Sequence, residues 1–225
     1  DGHQLFKIAS GASDYDYNWT EVLMQRGGGN MAGLSLHYYT VPGWEGSKGS
    51  ATQFTRDQYY WTIGKCREIE DVLKKHIAIM DAQDPKGNVA LLLDEWGTWW
   101  DEEPGTIKGH LFQQNSMRDA IVASTSFDIF HKYTKRLKMA NIAQIVNVLQ
   151  SMILTKEEQM VLTPTYYVFK QYAVHQDATH LPVDIDCEEM EMQGANRHFE
   201  AKLPMLSATA SKDQQGRIHL SLTNV

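Results

Sequence analysis

The chain has 225 residues, of which 42% are apolar and 22% charged, a composition that excludes disorder as its main state. Lysine and arginine number 21 against 28 aspartates and glutamates, and the formal charge of -7 argues against a phosphate-binding surface and so against nucleic acid as a partner. Two cysteines, Cys66 and Cys187, are too few for a disulfide framework, and no run approaches the roughly 18 apolar residues that a membrane-spanning helix needs.

Leu5 to Ala9 reads as a short strand, and Asp16 to Gln25 as a helix with Trp19, Val22 and Leu23 at helical spacing. After the break at Gly27-Gly28-Gly29-Asn30, Ala32 to Tyr39 reads as a second strand ending in His37, Tyr38 and Tyr39. A Gly-rich loop from Pro42 to Ser50 precedes one long helical pattern from Arg56 to Asp84, which Asp84-Pro85-Lys86-Gly87 stops. Val89 to Leu93 is a continuous apolar run of the kind buried on both faces of a parallel sheet, and it ends in Asp94-Glu95-Trp96-Gly97. Met117 to Tyr133 reads as a helix, Lys138 to Val148 as a further apolar segment, and Tyr166 to Val174 as a helix opened by Pro164. Four strand-helix alternations imply a parallel sheet, because parallel neighbours need crossover connections. Past Thr179 the pattern changes: Leu181 to Met190, Phe199 to Ala210 and Arg217 to Val225 are strand-like, with Gly and polar turns between them. The expected organisation is an α/β region over residues 1–179 and an all-β region over 180–225.

In parallel α/β folds ligands sit at the carboxyl ends of the strands. Those ends present His37 and Tyr39, then Asp94 and Glu95, then Asn141 and Gln144, with Trp96, Trp99 and Trp100 close behind. Carboxylate, imidazole, phenol, carboxamide and indole suit an uncharged, hydroxyl-rich ligand such as a sugar. Glu95 must be either a structural acid tied to a cation or amide, or a carboxylate facing a polar cleft, and strand position alone does not separate the two. Alternation lets only one of Asp94 and Glu95 face the centre, so Asp94 is expected to be structural and to point away. Asp101, Glu102 and Glu103 read as a solvated loop. For Trp99, substrate contact and packing stand level, and His37 reads as either a general base or an orienting group. The histidines show no metal-ligand spacing, and no P-loop, GxGxxG or GxSxG motif occurs, so neither metal nor cofactor is expected.

Three motifs in order, Leu34 to Thr40 (LSLHYYT), Leu92 to Trp100 (LLDEWGTWW) and Ala140 to Asn147 (ANIAQIVN), resemble the α-L-arabinofuranosidases of glycoside hydrolase family 51. The resemblance runs over almost the whole chain. It implies the second half of a (β/α)8 TIM barrel, strands five to eight, followed by the beginning of a β-sandwich. It implies a retaining hydrolase that releases terminal α-L-arabinofuranosyl residues from arabinan- or arabinoxylan-type hemicellulose. By the resemblance Glu95 matches the nucleophile, Tyr39 the tyrosine beside it, His37 an active-site histidine, Gln144 a sugar-binding glutamine and Trp99 an aromatic bordering the site. The family's acid/base glutamate lies in an Asn-Glu pair at the end of strand four, and no Asn-Glu pair occurs in this sequence. The chain opens on Asp1 and closes on Asn224-Val225 in strand-like sequence, so the expectation is a fragment truncated at both ends. Half a barrel exposes strand edges along Leu5–Ala9 and Met139–Ile145, which implies that the missing half or another copy of the chain lies against them. An endoglucanase of the same family and a noncatalytic carbohydrate-binding fragment are the alternatives. Family members occur both secreted and inside cells, which leaves location open.

Overall fold

A computed structural model describes residues 5–191 and 202–225. Four strands, β1 (Ile8–Ser13), β2 (Gly33–Thr40), β3 (Ala90–Thr98) and β4 (Leu137–Ile142), form one sheet in the order β1-β2-β3-β4, with every neighbouring pair parallel. The crossovers are helical: α1 (Tyr17–Gly27), α2 (Arg56–Arg67) with α3 (Ile69–Gln83), and α4 (Met117–Phe130), while α5 (Pro164–Tyr172) follows β4. The expected alternation of strand and helix is therefore present. Helix starts follow local chemistry: Thr55 and Ser116 each close a capping box, with Gln58 and Asp119, and Thr163 caps α5 with Pro164 in its first turn.

The central strands are apolar because both their faces are covered. Leu34, Leu36, Leu91 and Leu93 pack with Val72, Leu73, Met80 and Ile129 in one core cluster. Each such side chain contributes about 1.5–3 kcal/mol on burial. The edge strands are half open, with Leu5, Phe6 and Ile8 exposed before and in β1 and Ile145 exposed just past β4. At Gly11, where β1 shifts register against β2, a Cβ atom would overlap the Ser35 carbonyl oxygen, so only glycine lets the two backbones approach.

Two expectations are corrected and one element is added. The single helix from Arg56 to Asp84 is two helices that meet at Glu68, whose amide donates to the Lys65 carbonyl three residues back instead of four. The Glu68 carboxylate turns inward, accepting from Lys65 Nζ at 2.6 Å and from the Tyr15 hydroxyl, where one helix ends and the next begins. The apolar segment from Lys138 to Val148 is a strand only to Ile142; Asn147 and Leu149 have φ of 59° and 52°, and the segment carrying them is a loop. A hairpin absent from the sequence reading joins β5 (Ile153–Lys156) to β6 (Gln159–Leu162). Its turn places Glu157 at φ 53°, a position usually marked by Asn or Gly, so the usual hairpin signal is missing.

The carboxyl-terminal region holds β7 (Thr179–Leu181), β8 (Glu189–Glu191), β9 (Lys202–Pro204), β10 (Leu206–Lys212) and β11 (Ile218–Asn224). Strands β11, β10 and β7 form an antiparallel sheet in that order, and β8 pairs with β9. Of the expected strand Phe199–Ala210, residues 199–201 lie outside the described residues. The polarity of the three-stranded sheet is inverted. Its face against α4, α5 and the turn Ala173–His175 carries hydroxyls: Ser207 and Thr223 donate to the Asp128 carboxylate, Thr209 meets His131, and Ser211 and Ser221 meet the two nitrogens of His175. Its other face presents Ile218, Leu220 and Leu222, each more than half exposed.

Candidate active site

The site forms where the alternation of β3 breaks. Against β2 the register runs Leu36 with Leu93 and then His37 with Glu95; against β4 it runs Leu93 with Ala140 and then Trp96 with Ile142. Asp94 is thus an extra residue of β3 relative to both neighbouring strands, a bulge. The bulge corrects the expectation that Asp94 points away, because Asp94 and Glu95 both reach His37. Its Nε2 lies 3.2 Å from Asp94 Oδ1 and its Nδ1 3.5 Å from Glu95 Oε2. The three side chains are 34–41% exposed and so open to a ligand. Asp94 Oδ1 itself is shielded and receives no hydrogen bond of good geometry.

Tyr39 donates its hydroxyl proton to Glu95 Oε2 at 2.8 Å. Burial, and then the bond to Glu95, push the phenol well above its ordinary range, so it remains a donor at any pH the protein meets. Among the described residues, no lysine or arginine pairs with Glu95. The structural-acid reading of Glu95 called for a cation or a backbone amide as its partner, and among the described residues no backbone amide donates to its carboxylate either.

An aromatic wall flanks Glu95. Tyr39, Trp44 and Trp99 meet edge to face, with ring centroids 5.1 Å apart for Tyr39 and Trp99, 5.6 Å for Trp44 and Trp99, and 6.0 Å for Tyr39 and Trp44. Trp44 is absent from the sequence reading, although an exposed indole in the Gly-rich loop after β2 was a usable signal. Its Nε1 donates to Asp14 Oδ2 at 3.3 Å, and the Asp14 amide donates to the His37 carbonyl. Burial raises the Asp14 carboxyl above its ordinary value. The expected cluster of three tryptophans after β3 divides. Trp96 is core, packed with Phe127, Phe130 and Phe169, and Trp100 is buried against the Arg118 guanidinium, 3.6 Å from the ring centre. Only Trp99 borders the site.

The acids after Trp100 are also more than a solvated loop. Asp101 accepts from Ser47 and from the Lys48 amide, and Glu102 Oε1 accepts from the amides of Gly109 and Leu111, both at 2.7 Å. Asp101 thereby ties the loop that carries Trp44 to the loop that carries Trp99. Beneath them the buried Asp119 accepts from Thr98 Oγ1 at 2.6 Å and Trp100 Nε1 at 3.0 Å, while Gln150 accepts from the Thr98 amide and donates to the Asp119 carbonyl. This network fixes the end of β3 by hydrogen bonds within the protein.

Gln144 lies two residues beyond β4, exposed, and among the described residues it bonds to none of the other four candidates. A cavity of about 840 Å³ between the segment 105–112 and the β5–β6 hairpin is lined by none of His37, Tyr39, Glu95, Trp99 and Gln144. No cluster of three or more metal-ligating side chains occurs among the described residues, and no described helix is long and apolar enough to cross a membrane.

The profile of the α-L-arabinofuranosidase C-terminal domain matches residues 94–225. An intracellular exo-α-L-arabinofuranosidase of Bacteroides ovatus is 72% identical over 225 residues, all of this chain and 43% of the relative. The solved family 51 arabinofuranosidase of Xanthomonas axonopodis pv. citri is 47% identical, with a TM-score of 0.91 over 99% of this chain and 44% of that one. An arabinofuranosidase of Thermotoga maritima, solved with arabinose, shares the fold with a TM-score of 0.71 at 23% identity, over 96% of this chain and 42% of that one. The chain spans less than half the length of each of these relatives.

Proposed function

Because the chain belongs to the α-L-arabinofuranosidases of glycoside hydrolase family 51, we propose that it is the carboxyl-side portion of a retaining enzyme that releases terminal α-L-arabinofuranosyl residues from arabinan- or arabinoxylan-type polysaccharide. Glu95 is its nucleophile. The observation that carries this reading is the setting of Glu95: a solvent-open carboxylate without a lysine or arginine partner, held by Tyr39 and bordered by aromatic rings. Both polar partners, Tyr39 and His37, sit on Oε2, which leaves Oε1 to attack the anomeric carbon. The aromatic wall of Trp99 and Trp44 receives the apolar face of the sugar, and His37, Tyr39 and Gln144 supply hydrogen bonds to it.

Retention requires a second, protonated carboxyl group about 5 Å from the nucleophile. In this reading that acid/base glutamate stands on the other half of the barrel, and β1 to β4 are strands five to eight. The half-open edge strands fit this arrangement, because the missing strands would cover Leu5, Phe6 and Ile8. The exposed face of Ile218, Leu220 and Leu222 fits the core of a sandwich whose second sheet lies elsewhere in the whole protein. The natural partners are then an arabinofuranosyl glycan and the complementary barrel half, with further copies of the enzyme in an oligomer. The relatives named above are all arabinofuranosidases, which favours this activity over an endoglucanase.

The test is covalent trapping in the full-length protein with an activated, slowly released arabinofuranoside, followed by peptide mapping. Label is expected on Glu95 and absent in Glu95→Gln, because an amide cannot act as the anionic nucleophile. Label that persists in the variant removes Glu95 from this role.

A further inference from the structure

Asp94 has no part in the mechanism as described, yet the bulge delivers it to the same imidazole as Glu95. We propose that Asp94 is a positioning residue for glycosidic cleavage, holding His37 in one orientation against Glu95 and adding a second negative charge beside the reacting centre. The inference rests on the assignment of Glu95 as nucleophile.

Three observations support it. The bulge is built into the pairing of β3 with both neighbours, so the placement of Asp94 belongs to the sheet and is not a side-chain accident. Asp94 Oδ1 is shielded from water, receives no well-aligned hydrogen bond, and has His37 Nε2 as its nearby polar group at 3.2 Å. A shielded carboxylate oxygen without a donor costs stability, so folding alone gives no reason for an aspartate here. The third observation concerns the ring. Both nitrogens of His37 face carboxylate oxygens, Nε2 that of Asp94 at 3.2 Å and Nδ1 that of Glu95 at 3.5 Å, so the Asp94 carboxylate helps to set how the ring is turned toward Glu95.

Its charge has a second effect. The transition state of glycoside cleavage is oxocarbenium-like and carries positive charge on the sugar ring. Asp94 and Glu95 lie within 3.5 Å of opposite nitrogens of one small ring, so the Asp94 charge is close enough to favour the transition state over the neutral ground state.

The experiment uses the full-length enzyme with nitrophenyl α-L-arabinofuranoside and an arabino-oligosaccharide, comparing Asp94→Asn, Asp94→Ala, His37→Ala and the double variant Asp94→Ala/His37→Ala. Asp94→Asn keeps an oxygen acceptor for His37 but removes the charge. Its kcat is expected to fall about 10- to 100-fold with KM nearly unchanged, less than the roughly 100- to 1000-fold lost with a direct transition-state contact. Asp94→Ala should fall further, and the double variant should lose less than the product of the two single losses, because part of the Asp94 effect passes through His37. Unfolding temperatures should not drop in either Asp94 variant. Wild-type kcat in Asp94→Ala, or a lowered unfolding temperature with KM and kcat changed together, overturns the proposal. Trapping on Glu95 in the same preparations separates the two readings: label on Glu95 with wild-type kcat in Asp94→Ala removes only Asp94, whereas label surviving Glu95→Gln removes the nucleophile assignment itself.

Discussion

The polar seam between α4 and the carboxyl-terminal sheet predicts a stability profile in which two opposed pH dependences cancel. Asp128 is 1% exposed and is held only by hydroxyls, those of Tyr172, Ser207 and Thr223, so burial pushes its carboxyl up to about 6 from 3.8. Three residues on, His131 is partly buried against Thr209 and His175, and burial followed by the neighbouring His175 and His180 pulls it down to about 4 from 6.5. At about 1.4 kcal/mol for each pH unit, the Asp128 displacement is worth about 3 kcal/mol and that of His131 at most about the same. The Asp128 pKa is higher in the folded state, so its share of stability is intact below pH 3.8 and lost as pH rises through about 6. The His131 pKa is lower in the folded state, so its share is intact above pH 6.5 and lost as pH falls toward 4. Between pH 4 and 6 the slopes oppose and the seam is nearly indifferent to pH. Asp128→Asn removes one slope while keeping an acceptor for the hydroxyls. The stability difference between variant and wild type, from urea unfolding at pH 4 to 7, should shift by about 2–3 kcal/mol in favour of the variant as pH rises. His131→Gln should show the opposite trend. A difference between Asp128→Asn and wild type that is constant over pH 4 to 7 refutes the buried-carboxylate argument.

Three further outcomes are expected. Asp119→Ala leaves Thr98, Trp100 and the Ser116 amide without their buried acceptor and should lower stability by about 3 kcal/mol or more, read by denaturant midpoint; a loss under 1 kcal/mol counts against the network. Trp44→Ala in the full-length enzyme should raise KM for nitrophenyl α-L-arabinofuranoside by roughly 3- to 10-fold, the worth of one ring contact, and an unchanged KM removes Trp44 from the wall. Leu220→Glu in the full-length protein should cost about 2 kcal/mol or more if a second sheet covers that face, and under about 0.5 kcal/mol if the face is open to water.

How much of this was legible in the sequence depended on whether the controlling interaction was local. β3 announces itself because a strand covered on both faces reads as an unbroken apolar run, and Ser116 with Asp119 carries a start signal within four residues. The division of the long helix at Glu68 gave no such sign, since no proline interrupts Arg56 to Gln83, Gly64 lies inside α2 and not at the break, and the inward-turned Glu68 is held by Tyr15, 53 residues away in sequence. Trp96 and Trp99 look equivalent in sequence, and only the packing of α4 and α5 buries one and leaves the other at the site. The inverted polarity of β10 is a related case: Ser207, Thr209 and Ser211 look like the solvent face of an amphipathic strand until the helix side chains Asp128, His131 and His175 supply their partners.

Asp94 and Glu95 show the same limit at the chemical centre. Period-two alternation assigns adjacent strand residues to opposite faces, and that rule fails only where one strand carries a residue its neighbours do not match. The mismatch is a property of three strands read together: Leu36–His37 on one side, Ala140–Ile142 on the other, and Leu93–Trp96 between them. No pattern within LLDEWGT contains it. Placing two carboxylates on one imidazole therefore takes a defect in the sheet, and a defect present in the pairing with both neighbours is held in place by that pairing. The sheet fixes the backbone from which both acids reach His37, since moving the bulge along β3 would require the strand to slip against both neighbours and carry Leu91 and Leu93 out of the core.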